Sequence, residues 1–235
     1  MVSRPAAGGG RWVDIAPERL ARWFAGFAER HGDVDARPLP DGLEVTAADG
    51  EVAECHLLVG AAADLDGLIV EALRPRRLGL LLIRRGGFGV GIADGPDLVT
   101  SKVGSRYVQS RTAAGGWSQQ RFARRRENQA RAAAGDTADV VLRLLAPATG
   151  GLDALVTGGD RRLVDEVLAD ARLAPVRALR ADRFLDVPDP KLAVLKTAVT
   201  AARSVRIRLG AGAPDAGPRQ HGDPGPAGAT DTTGD

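Results

Sequence analysis

The sequence predicts an α/β protein built on a mixed sheet, antiparallel in its first strands and wrapped by helices in its later part. Three observations predict it. Between residues 76 and 111, strand-like runs are separated by Gly-rich and Asp-Gly turns. From residue 136 onward, apolar runs of strand length alternate with amphipathic runs of helical period. Ahead of both, an amphipathic helix precedes a segment of alternating polarity folded about Asp49-Gly50. With 44% hydrophobic residues over 235 positions, the chain can bury one compact core with extensions or two small ones.

Residues 1–10 are rich in Gly, Ala and Pro and are expected to be disordered. Pro17 opens a helix with Leu20, Trp23, Phe24 and Phe27 at helical spacing, and Gly32 stops it; an aromatic stripe of this kind is core rather than binding surface. The stretch GLEVTAADGEVAECHLLVG alternates about Asp49-Gly50 and reads as a β-hairpin. Asp64 to Leu73 is a short helix ended by Pro75. Leu78 to Ile83, Phe88 to Ile92 and Asp97 to Val103 are strands, with Arg106 to Arg111 continuing in extended form. A helix opened by residues 115–120 runs to about Ala134, where Gly135 ends it, and DVVLRLLA completes it. GLDALVTGG is a buried strand, and RRLVDEVLADARL a helix with Leu163, Val167 and Leu168 inward. VRALR and FLDV are extended, and DPKLAVLKTAVTAARSV is the closing helix. From Gly210 the chain holds almost no large apolar residue and is expected to be a flexible tail. The expected organisation is a disordered segment 1–10, a helix and hairpin extension 11–75, a main domain 76–209 and a tail 210–235.

Composition narrows the chemistry. The apolar runs fall far short of the roughly 20 residues of a bilayer span, and the N-terminus lacks a signal-peptide pattern, so the expectation is a cytoplasmic protein that does not enter membranes. One cysteine, Cys55, allows no internal disulfide and no cysteine-built zinc site; it reads as a packed strand residue. His31, His56 and His221 lack metal spacing, so no metal and no cofactor is expected, and His31 suits a helix end, where a cation meets the dipole. GFGVG, residues 87–91, lacks the lysine and the strand-to-helix setting of a phosphate loop and reads as a Gly-rich strand turn.

Charge is concentrated. Residues 101–135 hold Lys102, Arg106, Arg111, Arg121, Arg124, Arg125, Arg126 and Arg131 against Glu127, a net +7; since the chain carries +2, the remainder is −5. A cationic segment on an otherwise acidic protein is the electrostatic footprint of a polyanion binder, with nucleic acid the first candidate. At about 100° per residue, Arg121, Arg124, Arg125, Asn128 and Arg131 share one helix face, while Phe122, Ala123, Ala130, Ala133 and Ala134 share the other. Arg126 falls among the apolar positions and is expected to be partly buried and hydrogen-bonded. Ser118 is the expected N-cap, leaving Gly115, Gly116 and Trp117 in a loop ahead of it. Lys102, Arg106 and Arg111 extend the cationic surface from the strand side.

GGWSQQRFARRREN, residues 115–128, resembles the catalytic loop and following helix of the middle domain of archaeal and eukaryotic class-I peptide-chain release factors, where Gly-Gly-Gln precedes a similar Arg-Phe-Ala-Arg helix. The order of elements matches too: a Gly-rich antiparallel segment before the loop, then a strand ending in Gly-Gly-Asp (LVTGGD, 155–160) and a helix. With RWVDIAPERL and AERHG included, residues 11–209 most resemble the actinobacterial branch of the Vms-like release factors, a peptidyl-tRNA hydrolase family. The resemblance implies a ribonuclease-H-like fold, and a loop that enters the peptidyl-transferase centre of the large ribosomal subunit to help water attack the ester of peptidyl-tRNA. The expected function is that of a rescue factor, and the expected state is a monomer.

In this sequence the implied site is Gly115 and Gly116, whose bare backbone approaches RNA closely, with Gln119 and then Gln120 as the amide that orients water. Trp117 stands where the release-factor pattern has its glutamine, and is read as a base-stacking residue. The competing expectation is a non-catalytic ribosome- or tRNA-binding module acting through the cationic helix. A metal-dependent nuclease needs clustered carboxylates; Asp94, Asp97, Asp139 and Asp160 are available, but Asp94 and Asp97 read as turn residues and Asp160 follows a Gly-Gly turn.

Overall fold

A computed structural model describes residues 3–105 and 134–210. Two sheets organise them. The first has six antiparallel strands: β1 (Ser3–Pro5), β2 (Arg11–Ile15), β3 (Val34–Leu39), β4 (Gly42–Ala47), β5 (Val52–His56) and β11 (Val205–Leu209), in the order β1-β2-β11-β5-β4-β3. The second has five strands: β6 (Arg77–Arg84), β7 (Gly87–Asp94), β8 (Asp97–Ser105), β9 (Ala154–Gly159) and β10 (Arg180–Leu185), in the order β10-β9-β6-β7-β8.

In the first sheet the period of two decides the layers. Val13, Ile15, Leu43, Val45, Cys55, Val205 and Ile207 point to one face and are buried under α1 (Leu20–His31) and α2 (Leu65–Leu73), which contribute Leu20, Phe24, Phe27 and Leu68. Each fully buried side chain of this size is worth about 1.5–3 kcal/mol. The intervening residues face outward and ladder their charges: Arg4 and Arg206 to Asp14 (2.7 and 3.4 Å), Arg208 to Glu54 (3.5 Å) and Arg37 to Glu44 (2.8 Å). Cys55 lies in the core as expected, and burial pushes its thiol far above the usual range, so it is no nucleophile. The hairpin turns at Gly50, whose positive φ of 89° fits a glycine.

The second sheet is the mixed one. β6, β7 and β8 are antiparallel neighbours, while β9 and β10 run parallel to β6. In chain order from β6 this is 3-2-1-4-5, the strand order of a ribonuclease-H-like sheet. Leu81, Ile83, Val90, Ile92 and Leu155 pack under α3 (described over 134–145) and α4 (Arg161–Leu168). Leu78, Leu80, Leu82 and Val156 pack on α6 (Leu192–Arg203). A short helix, α5 (Ala174–Ala178), precedes β10. Among the described residues no helix is long and apolar enough to cross a membrane.

Several expectations are corrected. Within the first ten residues, Ser3–Pro5 pair with Arg11–Val13 as β1. The segment 11–75 is more than a helix and hairpin, because RWVDI and VDARPL are strands. Nor is α6 the closing element: the chain continues into β11, which lies between β2 and β5 in the first sheet. A segment assigned to the main domain is thus a central strand of the N-terminal sheet. Gly135 stands inside α3 rather than ending a helix, and Val176–Ala178 are helical where an extended segment was expected. In α4 the inward residues are Val164, Val167 and Leu168, with Leu163 half-buried.

Arg183 holds the two sheets together. Its guanidinium, buried at 9% exposure, donates to the carbonyl oxygens of Ala202 (3.0 Å), Ser204 (2.6 Å) and His56 (3.2 Å). Strand β10, the end of α6 and the end of β5 meet there.

Asp170, ahead of α5, carries an acid-sensitive contact. The Arg172 side chain, and then its backbone N–H, lower the Asp170 carboxyl from 3.8 to about 2. A carboxyl depressed on folding stabilises the fold above its unfolded value, and that stabilisation is lost as pH falls through about 2. Asp170→Asn is expected to flatten the acid-unfolding curve between about pH 4 and pH 2. Acid titration followed by circular dichroism tests this; superimposable curves would refute it.

Candidate nucleic-acid interface

The direction of the strands places the two described ends that flank the cationic segment. β6, β8 and β9 all point the same way, so the connection from β8 to β9 must return along the sheet, and α3 makes that return. Leu145, at the end of α3, packs near Gly79 at the beginning of β6. Ala134, at the other end of the helix, therefore lies toward Ile83, with which it shares a core cluster. Ser105, the last residue of β8, pairs with Gly87 at the same end. Ser105 and Ala134, the described residues on either side of the cationic segment, thus lie at one pole, at the C-terminal ends of β6, β8 and β9. In open α/β sheets this is the end at which ligands bind.

Gly115, Gly116, Trp117, Gln119, Gln120, Arg106, Arg111, Arg121, Arg124, Arg125 and Arg131 lie outside the described residues, as do Ser118 and Arg126. Lys102 is described. It is exposed on β8 in register with Val90, whose side chain belongs to the cluster beneath α3, so it projects from the α3 side of the sheet.

Backbone geometry at the pole is set by small residues and local bonds. Gly158 lies against Leu82 and Leu185, Gly159 adopts φ 94°, and Asp160 then caps α4, accepting from the Leu163 N–H at 3.3 Å. The Gly-Gly-Asp motif therefore builds a strand-to-helix turn. Asp160→Ala is expected to cost about 1 kcal/mol of stability, measurable by urea denaturation; an unchanged midpoint would show that the cap is idle. In the β6–β7 turn, the Arg84 Nε donates to the Val187 carbonyl (2.6 Å) and its guanidinium pairs with Asp186 (2.9 Å). The Arg161 guanidinium lies 4.2 Å from the centre of the Phe184 ring.

The candidate carboxylates do not converge. Asp94 and Asp97 flank the turn at the Arg77 end of β6, while Asp160 follows its Ile83 end, roughly 20 Å away at about 3.3 Å per residue. Asp139 pairs with Arg172 at 2.8 Å. Among the described residues no three His, Cys, Asp or Glu side chains group as metal ligands. His31 ends α1 and meets Asp49 (2.8 Å), whose carboxyl is held below its usual range by the Glu51 N–H first and His31 second. GFGVG is strand: Gly89 leaves the space that Leu195 of α6 fills.

Sequence reasoning passed over two arginine doublets that the fold brings to this pole, Arg84-Arg85 and Arg161-Arg162. The signal was present, since each doublet adjoins a glycine pair at a strand end (IRRGG and GGDRR).

The sequence profile of the Actinobacteria/chloroflexi VLRF1 release factor matches residues 76–208, which is more than half of the chain. The protein belongs to that release factor family. The match begins at the threshold of β6 and reaches into β11, so it takes in the whole second sheet and both flanks of the cationic segment. Among solved structures, the archaeal translation termination factor aRF1 aligns at 16% identity over 67% of this chain and 48% of its own, with a TM-score of 0.39. Dom34 of S. cerevisiae, described as a translation termination-like factor involved in RNA quality control, aligns at 6% identity over 84% of this chain and 66% of its own, TM-score 0.32. Pelota of Archaeoglobus fulgidus aligns at 11% identity over 84% and 64%, TM-score 0.29. The chain thus spans about half the length of the archaeal termination factor. No curated protein matches it in sequence.

Proposed function

We propose that this VLRF1-family protein acts in the cytoplasm on ribosomes and hydrolyses the ester of peptidyl-tRNA, releasing nascent chains from stalled complexes. One observation carries the reading: the family match encloses a stretch in which paired glycines, a tryptophan and two glutamines precede an arginine-rich run. Gly115 and Gly116 let the backbone approach RNA in conformations closed to other residues. Gln119, nearer the tip, is assigned the amide that orients water and stabilises charge developing on the ester; Gln120 is second. Arg121, Arg124, Arg125 and Arg131, with Lys102, Arg106 and Arg111, supply the charge that holds RNA, and Trp117 stacks on a base. An amide does not titrate, so the chemistry rests on positioning and fixed dipoles and needs no acid/base pair of the protein. The proposed site is completed by ribosomal RNA in the peptidyl-transferase centre of the large subunit.

The test is release of labelled peptide from purified ribosome complexes carrying peptidyl-tRNA, by the wild type and by the Gln119→Ala/Gln120→Ala variant. Unchanged release by the variant would overturn the assignment. The position of Trp117, where the release-factor pattern carries its glutamine, favours a second reading, a non-catalytic ribosome- or tRNA-binding module. That reading expects salt-sensitive binding, lost on charge reversal of Arg121, Arg124 and Arg125, with no peptide liberated by the wild type.

A further inference from the structure

We infer that a collar of cations on the folded domain, Arg85, Lys102, Arg162 and Lys191, is an RNA-backbone docking site separate from the loop; the inference rests on the ribosomal reading above. The four come from four elements: the β6–β7 turn, strand β8, the start of α4 and the start of α6. Contacts bring three of them to one pole, and Lys102 stands on the edge strand β8, three residues before its Ser105 end. The β6–β7 turn is fastened to the segment ahead of α6 through Arg84 with Asp186 and Val187, and Gly86 lies against Asp189. The Asp160 N–H donates to the Ile83 carbonyl (2.7 Å), which seats the start of α4 beside the end of β6.

All four side chains are exposed, and none has an ion-pair or hydrogen-bond partner among the described residues. The contrast with other cations is chemical: Arg172, Arg180 and Arg203 are each neutralised by Asp or Glu within 2.8 Å. Leaving charges unpaired at one end costs self-repulsion, which a bound polyanion would offset. Two helix starts, those of α4 and α6, add their positive dipole ends to the same pole. A chain of regularly spaced phosphates meets this distributed charge better than a compact anion does. The collar sets where the domain docks, while the loop supplies the chemistry.

The experiment is binding of the full chain to purified large ribosomal subunits across a salt series. It compares the wild type with R85A/K102A/R162A/K191A and with R11A/R19A/R22A/R30A. The second variant removes the same charge from exposed arginines of the first unit. Glu18, beside Arg19 and Arg22, bonds Arg203 at the far end of α6 from Lys191, so those two stand away from the pole. The collar variant is expected to bind at least about tenfold more weakly, with the slope of log K against log salt reduced by roughly 3, while the control keeps the wild-type slope. Equal slopes for the two variants would overturn the collar. Displacement of the wild type by polyglutamate as fully as by RNA at equal charge would also overturn it, as it would mark a site for acidic protein. Collar-dependent binding without release by the wild type would remove the hydrolysis reading and leave the collar standing.

Discussion

Alanine at both Gln119 and Gln120 is expected to slow peptide release by about 10²–10³, the cost of removing one preorganised group that stabilises a developing oxyanion. Binding to ribosomes should stay at the wild-type level, because affinity is assigned to cations and not to amides. The single variants separate the two glutamines: Gln119→Ala should account for most of the loss. The pH profile provides an independent check. An amide has no proton to lose, so the wild-type and double-variant release rates should rise in parallel with pH. A pH limb present in the wild type and lost in the variant would show that a titrating group works with these residues, and the water-orienting role would fail.

Replacing Arg183 with methionine is expected to cost about 3 kcal/mol, since it strands three carbonyl oxygens that now accept from a charged donor inside the protein. Burial lowers the guanidinium to about 10, with Arg206 the next contributor, so it remains charged at neutral pH and its bonds are charge-assisted. The three carbonyls belong to His56, Ala202 and Ser204, so losing the guanidinium should also loosen the first sheet from the second. Urea unfolding of Arg183→Met should lose midpoint and broaden or divide in two, and Arg183→Lys should recover part of the loss by reaching one or two of the carbonyls. A single sharp transition at the wild-type midpoint would show that the junction does not depend on this residue.

Legibility in the sequence followed from the length and purity of each pattern. LGLLLI and GFGVGIAD are long, apolar and bounded by glycine or Asp-Gly, and they became β6 and β7 where expected. The stripe of Leu20, Trp23, Phe24 and Phe27 could bury only one face, and it did. RWVDI, VDARPL and VRIRL were missed as strands because each is short and carries two charged residues among its apolar ones. On its own such a stretch resembles a loop, and only a neighbour on either side turns its alternation into a buried face. The return of residues 205–209 to the N-terminal sheet was hidden for the same reason. No local pattern records that Val205–Leu209 returns between β2 and β5.

For the site the division is different. The sequence alone determined the cationic segment, its glycines, tryptophan and glutamines, and the likeness that led to a release factor family, because these depend on which residues stand next to one another. Tertiary structure alone decided that the end of β8 and Ala134 of α3 lie at one pole, that Arg85, Arg162 and Lys191 come to it with Lys102 on the edge strand beside it, and that Asp94, Asp97 and Asp160 stay apart. Strand direction and helix packing bring together residues as much as about a hundred positions apart in the chain, and that proximity is a property of the closed fold rather than of any window of sequence.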